Sequence, residues 1–196
     1  MPDEGDTGAG RRRDAEATKA ALLDAARDLF GRHGFDHVTL RDIGNRAGVD
    51  GSLVARYFGS KGALHRAAVD EDTKQATADP ALDVEVFIAE ALRRADVRGA
   101  PGPLVQTLLT PGSHPEARGA AARDVRARVV EPLLDRLSAE QVPDAQLRAE
   151  TLVACLMGVI ALRPSGLFPR LTAASADEVE SLLARFTGAV GGPADT

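Results

Sequence analysis

Two short helical segments joined by a glycine turn, within residues 39–58, constrain this chain more than any other feature. Thr39 precedes Leu40-Arg41-Asp42-Ile43, and Asp42 stands three residues after it, so the pair reads as a capping box with Asp in the usual Glu position. The helix it opens, residues 40–46, is stopped by Ala47-Gly48. Asp50 is placed to cap a second helix that runs to Phe58. Neither helix is long enough to be stable alone. Ile43, Ala47, Val49, Val54 and Phe58 have the spacing to pin the two together, and such a pair is the helix-turn-helix signature. A third helix precedes them. Over residues 14–33, Ala17, Ala20, Ala21, Ala25, Leu29 and Phe30 recur at helical steps until Gly34 ends the pattern. After Phe58, Gly59-Ser60 breaks the chain, and Ser60 caps a longer helix over residues 61–77.

The remainder reads as helical too. Residues 81–96 present Leu82, Val86, Ile88, Ala89 and Leu92 as an inner face, and Pro101-Gly102-Pro103 then breaks the chain. Further helices are predicted over residues 104–109, 115–138, 144–163 and 177–190. Pro132 has no amide to bond back to Arg128, so a kink is expected there. Residues 1–13 are expected to be a disordered arm with a basic end at Arg11, Arg12 and Arg13, and residues 191–196 a loose tail. No strand pattern or internal repeat is found. The fold class is therefore all-α: an N-terminal three-helix domain over residues 14–60 and a larger helical domain over residues 61–190.

Composition narrows the classes. A chain of 196 residues with 44% hydrophobic and 27% charged residues can bury a core and is not globally disordered. Cys155 is the only cysteine, which excludes a disulfide framework and a cysteine zinc cluster. No uninterrupted apolar run reaches the roughly 18 residues of a membrane span, and residues 1–13 lack the apolar core of a signal peptide. The expected address is the cytoplasm, with no membrane partner. Net charge is −5, but it is unevenly placed: −3 over residues 1–10, +4 over 11–68 and −6 over 69–196. A basic segment before an acidic one suits a nucleic-acid module joined to a part with another task.

The stretch from Thr18 to Val69 resembles the DNA-binding domain of the TetR family of bacterial transcriptional regulators. The resemblance is carried by Phe30, Gly34-Phe35, Val38-Thr39, Ile43, Ala47-Gly48-Val49, Tyr57-Phe58 and Ser60-Lys61 leading to Leu64. Beyond residue 70 the likeness is only in helicity and length. An exposed helix can enter the major groove and read base edges. On residues 50–58, Val54 and Phe58 point inward, which leaves Gly51, Ser52, Ala55 and Arg56 outward. Arg56 suits guanine, Ser52 can donate or accept, Ala55 suits a thymine methyl, and Gly51 offers close backbone approach. Tyr57 and Lys61 fit phosphate contacts, as does Thr39 at the start of the preceding helix. By resemblance Thr39, Arg41, Asp50 and these positions are where family members touch DNA. Family members often carry a base or proline at position 51 and an aromatic at 55, so base readout here rests more on Arg56 and the arm. Arg11–Arg13 reads equally as a minor-groove arm or a solvated tail.

Residues 152–162 carry no polar side chain beyond the thiol of Cys155, so this helix must be covered on every side. It is read either as packing on the core and across a twofold homodimer, or as a central helix of a monomer. The resemblance implies the first, with Leu152, Leu156, Gly158, Val159, Leu182 and Phe186 at the interface. It also implies a small-molecule effector pocket among the helices of the larger domain. Pro132 is a candidate wall, and Gln106, Arg126 and Cys155 are candidate polar groups. Each has a bland reading: an exposed Gln, a solvated Arg, a small core thiol. Only Phe87, Phe168 and Phe186 are aromatic beyond residue 70, which argues against a pocket that stacks flat cations.

His33 and His37 have helical metal-pair spacing, but Gly34 breaks the helix between them, so no metal is expected. Ser113-His114 has no supporting acid, and no phosphate-binding glycine loop occurs. No catalytic residue and no cofactor are expected. The resemblance implies a regulator, usually a repressor, that binds a palindromic double-stranded operator as a homodimer and is released by an effector. A helical enzyme or ligand carrier with a structural N-terminus is the alternative class, and a DNA-binding protein without a ligand is a third.

Overall fold

The computed structural model describes residues 6–76, 84–110 and 115–191. Among these residues there are α-helices, one π-turn and one 3-10 turn, and no strand. Helix α1 spans Asp6–His33, α2 Leu40–Ala47 and α3 Leu53–Phe58. They close on a core of Leu22, Ala26, Phe30, Val38, Ile43 and Val54. Helix α4, Lys61–Ala76, belongs to two cores at once: Leu64 and Ala68 join the first, and Val69 joins the second. A rod of 16 residues, about 24 Å long, thus links the two parts of the molecule without a hinge between them.

The larger part is a helical bundle. Helices α5, Val84–Arg98, and α6, Pro103–Leu109, are followed by α7, Pro115–Val125, and α8, Glu131–Ala139. Then come α9, Ala145–Leu162, the short α10, Pro169–Ala173, and α11, Ala176–Gly191. One cluster joins Val69, Leu104, Val125, Leu133 and Val153, and another joins Ile88, Leu92, Val105, Leu156 and Val179. Arg163, itself buried, ties the end of α9 to Asp96 of α5 at 2.9 Å and donates to the Ala174 carbonyl.

Several sequence expectations change here. The disordered arm over residues 1–13 does not hold from Asp6 onward, where α1 begins. Arg11, Arg12 and Arg13 are good helix formers, and extending an existing helix avoids the cost of a new nucleus. Residues 1–5 lie outside the described residues, as do Ser113, His114, Leu82 and the tail from residue 192. Pro132 does not simply kink one long helix. A π-turn, Arg126–Val130, precedes it, and the Glu131 amide bonds to the Arg126 carbonyl five residues back. The wider turn makes room at the position where a proline removes the ordinary bond. Val86 is exposed, not inward, while Ile88, Ala89 and Leu92 are buried. Helix α10 and the 3-10 turn Arg163–Ser165 were not anticipated.

Helix α9 buries Ala149, Val153, Leu156 and Ile160 along one stripe. Its other side leaves Leu147 65% exposed, with Thr151, Ala154 and Cys155 also exposed. By length and a mean hydropathy of 1.5, α9 with its following turn would suffice to cross a membrane. It carries Arg148 and Glu150, however, and packs against α8 and α11 in the bundle.

Candidate nucleic-acid interface

The capping box forms as the residues require. The Thr39 amide and hydroxyl donate to Asp42 Oδ2 at 2.9 and 2.6 Å, and the Asp42 amide donates to Thr39 Oγ1 at 3.1 Å. These donors hold the Asp42 carboxyl below the usual carboxylate range. Gly48 ends α2 at φ 70°. It is a conformation glycine adopts without a Cβ penalty. Val49 then donates back to the Gly44 carbonyl at 2.9 Å, which folds the turn onto α2.

Asp50 does not cap a regular helix. Its Oδ1 accepts the Ser52 amide at 2.7 Å, and the first three bonds run from Leu53, Val54 and Ala55 to the carbonyls of Asp50, Gly51 and Ser52. The opening turn is therefore tight, and regular helix begins at Leu53. The Ser52 hydroxyl, and after it the Ser52 amide, hold the Asp50 carboxyl below the usual carboxylate range. Gly51 is a correction: it does not point outward. A Cβ there would lie 2.4 Å from the Leu40 carbonyl oxygen, and one at Gly44 would lie 2.5 Å from the Gly51 nitrogen. The two glycines let the backbones of α2 and the turn touch. Gly44, a glycine inside a helical pattern, was the sequence signal for that contact, and it was overlooked.

Ser52, Ala55 and Arg56 are exposed on α3, and Thr39 and Arg41 are exposed at the start of α2. Val54 is fully buried beneath them. The Arg56 guanidinium lies 5.7 Å from the Tyr57 ring centroid, and Tyr57 is half-buried against the core. The Lys61 ammonium sits 4.2 Å above the Phe35 ring. Partial burial disfavours its charge, and Asp36 offsets this in part. Ser60 Oγ accepts the Ala63 amide at 3.1 Å and so caps α4. Thr39, Arg41, Ser52, Ala55 and Arg56 are thus exposed on α2 and α3, and Lys61 is half-buried at the start of α4. His33 and His37 are exposed, and no cluster of three His, Cys, Asp or Glu side chains among the described residues could hold a metal.

The remaining candidates scatter. Gln106 lies over Gly34, where a Cβ would be 3.5 Å from its Nε2, so it sits at the junction of the two parts. Arg126 is exposed on the π-turn, 3.9 Å from Glu131. Among the described residues, neither lines the apolar cavity beside Phe87 and Met157 or the groove beside Cys155. Cys155 is exposed rather than a core thiol, and lines an open apolar groove of about 410 Å³ with Leu152, Gly158 and Val159. Leu156 is corrected from the outer face to the core, at 4% exposure, because it falls on the buried stripe of α9. Leu182 is 53% exposed, and the Phe186 side chain is outside the described residues.

Sequence reasoning missed a polar network beneath this surface. Asp72, 8% exposed on α4, accepts Arg98 Nη2 at 2.7 Å and the Leu104 amide at 3.2 Å, and lies 3.5 Å from Arg27. Arg98 in turn offers its carbonyl to Arg32 at 2.5 Å, and Asp28 joins Arg32 at 2.6 Å to Arg46 of α2 at 3.0 Å. No local pattern announces contacts between residues 26 and 66 positions apart.

Residues 22–68 match the sequence pattern of the bacterial regulatory proteins of the tetR family. Residues 84–187, more than half of the chain, match that of the tetracyclin repressor-like C-terminal domain. The chain belongs to the TetR family. The HTH-type transcriptional regulatory protein RaaS of Mycobacterium tuberculosis is 49% identical over 51 residues, 26% of this chain and 24% of that protein. The regulator BetI of Agrobacterium fabrum is 49% identical over 43 residues, 22% of this chain and 21% of that protein. The chain therefore spans about a quarter of the length of these curated relatives. The fold is shared more widely. NalD, a repressor of a multidrug efflux pump in Pseudomonas aeruginosa, has TM-score 0.62 at 20% identity over 90% of this chain and 97% of that one. The fatty acid degradation regulator FadR of Bacillus halodurans has TM-score 0.66 at 16% identity over 91% and 97%.

Proposed function

We propose that this TetR-family regulator is a repressor that binds a palindromic operator as a homodimer, in the cytoplasm, and is released by a small-molecule effector. The observation that carries the reading is the exposed edge Ser52, Ala55, Arg56 on a helix whose opposite edge, Val54, is fully buried. Arg56 takes the base-reading role, while Thr39, Arg41, Tyr57 and Lys61 take phosphates. Asp50 shapes the turn, and Gly51 lets α3 seat on α2.

Two recognition helices acting on one palindrome require a twofold partner. Leu147 and Leu182 with the Cys155 groove supply an apolar surface on α9 and α11 that suits a second copy. Leu152, Gly158 and Val159 line it. Repression follows the usual mode of the family.

Selection of bound duplexes from a random pool tests the reading directly. A palindrome with half-sites about one helical turn apart, bound more weakly as salt rises through counterion release, is the expected result. Equal binding to all duplexes overturns it. A second reading, regulation without any ligand, is favoured by one observation: the cavity walled by α4, α5, α6, α7 and α9 holds only about 70 Å³. An operator complex that no small molecule dissociates would establish that reading.

A further inference from the structure

The cavity walled by α4, α5, α6, α7 and α9 is apolar along most of its lining, where Phe87, Val125, Val129 and Met157 meet. At one end stand Asp72, Arg94 and Arg98. On the far side of the same two arginines lies an open polar cleft of about 410 Å³ between α1, α4 and α5. Arg94 and Arg98 line both spaces, so their guanidinium groups are the partition between water and the apolar interior.

The two arginines are engaged differently. Arg98 is held by Asp72 at 2.7 Å and packs against Gly102, where a Cβ would meet its Nη1 at 2.1 Å. The Asp72 carboxylate is filled by Arg98, the Leu104 amide and Arg27. Among the described residues, Arg94 has Glu90 as its ion-pair partner, at 3.2 Å, and that glutamate side chain is itself 45% exposed. Burial, with the neighbouring Arg98, disfavours the charge of Arg94 more than Glu90 and Asp72 favour it. A guanidinium is a rigid fork of donors that matches a carboxylate, and it gains most where water is scarce.

We propose that the effector is an apolar carboxylic acid in its anionic form, with its carboxylate on Arg94 and its body in the cavity. This rests on the reading above that the bundle holds an effector. Entry is from the polar cleft, so the carboxylate stays at the mouth while the body goes inward. The entry cleft carries Arg27, Arg93, Arg94 and Arg98 against Asp24, Asp28 and Glu90, so its balance is positive and a cationic ligand is disfavoured there. The cavity is smaller than such a body, so binding pushes its wall outward. The yielding parts are Met157, with three rotatable bonds, and the π-turn that carries Val129.

The same geometry supplies the route to DNA. An anion at the mouth competes with Asp72 for Arg98. The Arg98 carbonyl is bound to Arg32, and Arg32 and Asp28 connect it to Arg46 on α2. A ligand that favours the rearranged network over the present one shifts the seating of the recognition helices.

The test uses the full-length protein with octanoate, 1-octanol and octylamine as matched probes, titrated calorimetrically and against the selected operator duplex. Octanoate is expected to bind about 10- to 100-fold tighter than octanol, the value of a charge-assisted hydrogen bond, with octylamine weakest, and to release the operator. Arg94→Gln should bring octanoate to the level of octanol and leave octanol binding unchanged, which shows that the cavity is intact. Arg118→Gln, on the exposed face of α7, should change neither. Octanoate binding no tighter than octanol, or surviving Arg94→Gln, overturns the proposal. Octanol releasing the operator as well as octanoate overturns the acid class alone and leaves the effector reading standing. Octanoate binding as expected without operator release supports the acid site and overturns its role as the effector site.

Discussion

Removing the Asp72 carboxylate should be one of the most damaging single changes to this molecule that leaves every apolar core residue in place. Asp72→Ala leaves Arg98 and Arg27, whose side chains are largely buried, without their shared counter-charge, and it strips the Leu104 amide of its acceptor. Breaking a buried ion pair from one side costs about 3–5 kcal/mol because the remaining charge stays desolvated. Partial access to water at the arginines places the expected loss near the lower end, about 3 kcal/mol. For a chain of this length that lowers Tm by roughly 6–12 °C. Asp72→Asn keeps an acceptor for the Leu104 amide and one for Arg98 but loses the charge, so about 1–2 kcal/mol is expected. Urea unfolding at fixed protein concentration measures both, and a double-mutant cycle with Arg98→Met isolates the pair. An Asp72→Ala protein within about 1 kcal/mol of the parent, or a cycle with no coupling, would refute the reasoning that this carboxylate holds α4, α5 and α1 together.

Arg56→Ala should relax base preference at one operator position by about 1–3 kcal/mol, whereas Lys61→Ala should weaken all duplexes alike and reduce the salt slope by about 1; binding to a panel of single-base operator variants across a salt series separates the two. Gly51→Ala should cost about 1–3 kcal/mol of stability and most operator affinity, since the new methyl meets backbone that cannot rotate away; Gly48→Ala, with no atom near its Cβ position, should cost only the left-handed backbone, about 1 kcal/mol. The Asp42 carboxyl is held below its usual range by Thr39, so its contribution is complete above the unfolded value of about 3.9 and is lost as pH falls through the lower folded value. Thr39→Ala should return the Asp42 titration, followed by NMR, toward that unfolded value.

Much of the recognition unit was legible residue by residue. Thr39 with Asp42, Gly48 after Ala47, and Ser60 before α4 act within four positions, so the chemistry of each is complete in the local sequence. The same is true of Val54 inward and Arg56 outward, because helical periodicity assigns opposite faces once a helix is granted. Asp50 misled for the same local reason: an Asp before a helix can cap it or close a tight turn, and here it takes the Ser52 amide. Leu156 misled because a helix apolar all round gives no sign of which stripe its own bundle will claim.

By itself, then, the order of side chains determined the helices of the recognition unit, their stops and which edge of α3 faces outward, since capping and periodicity are short-range effects. Only the tertiary structure decided that Gly51 turns inward onto Leu40, that α4 serves two cores, and that Asp72 gathers arginines from α1 and α5. Those outcomes depend on which distant surfaces meet, and a pairing of buried charges has no signature until the packing that excludes water has been formed.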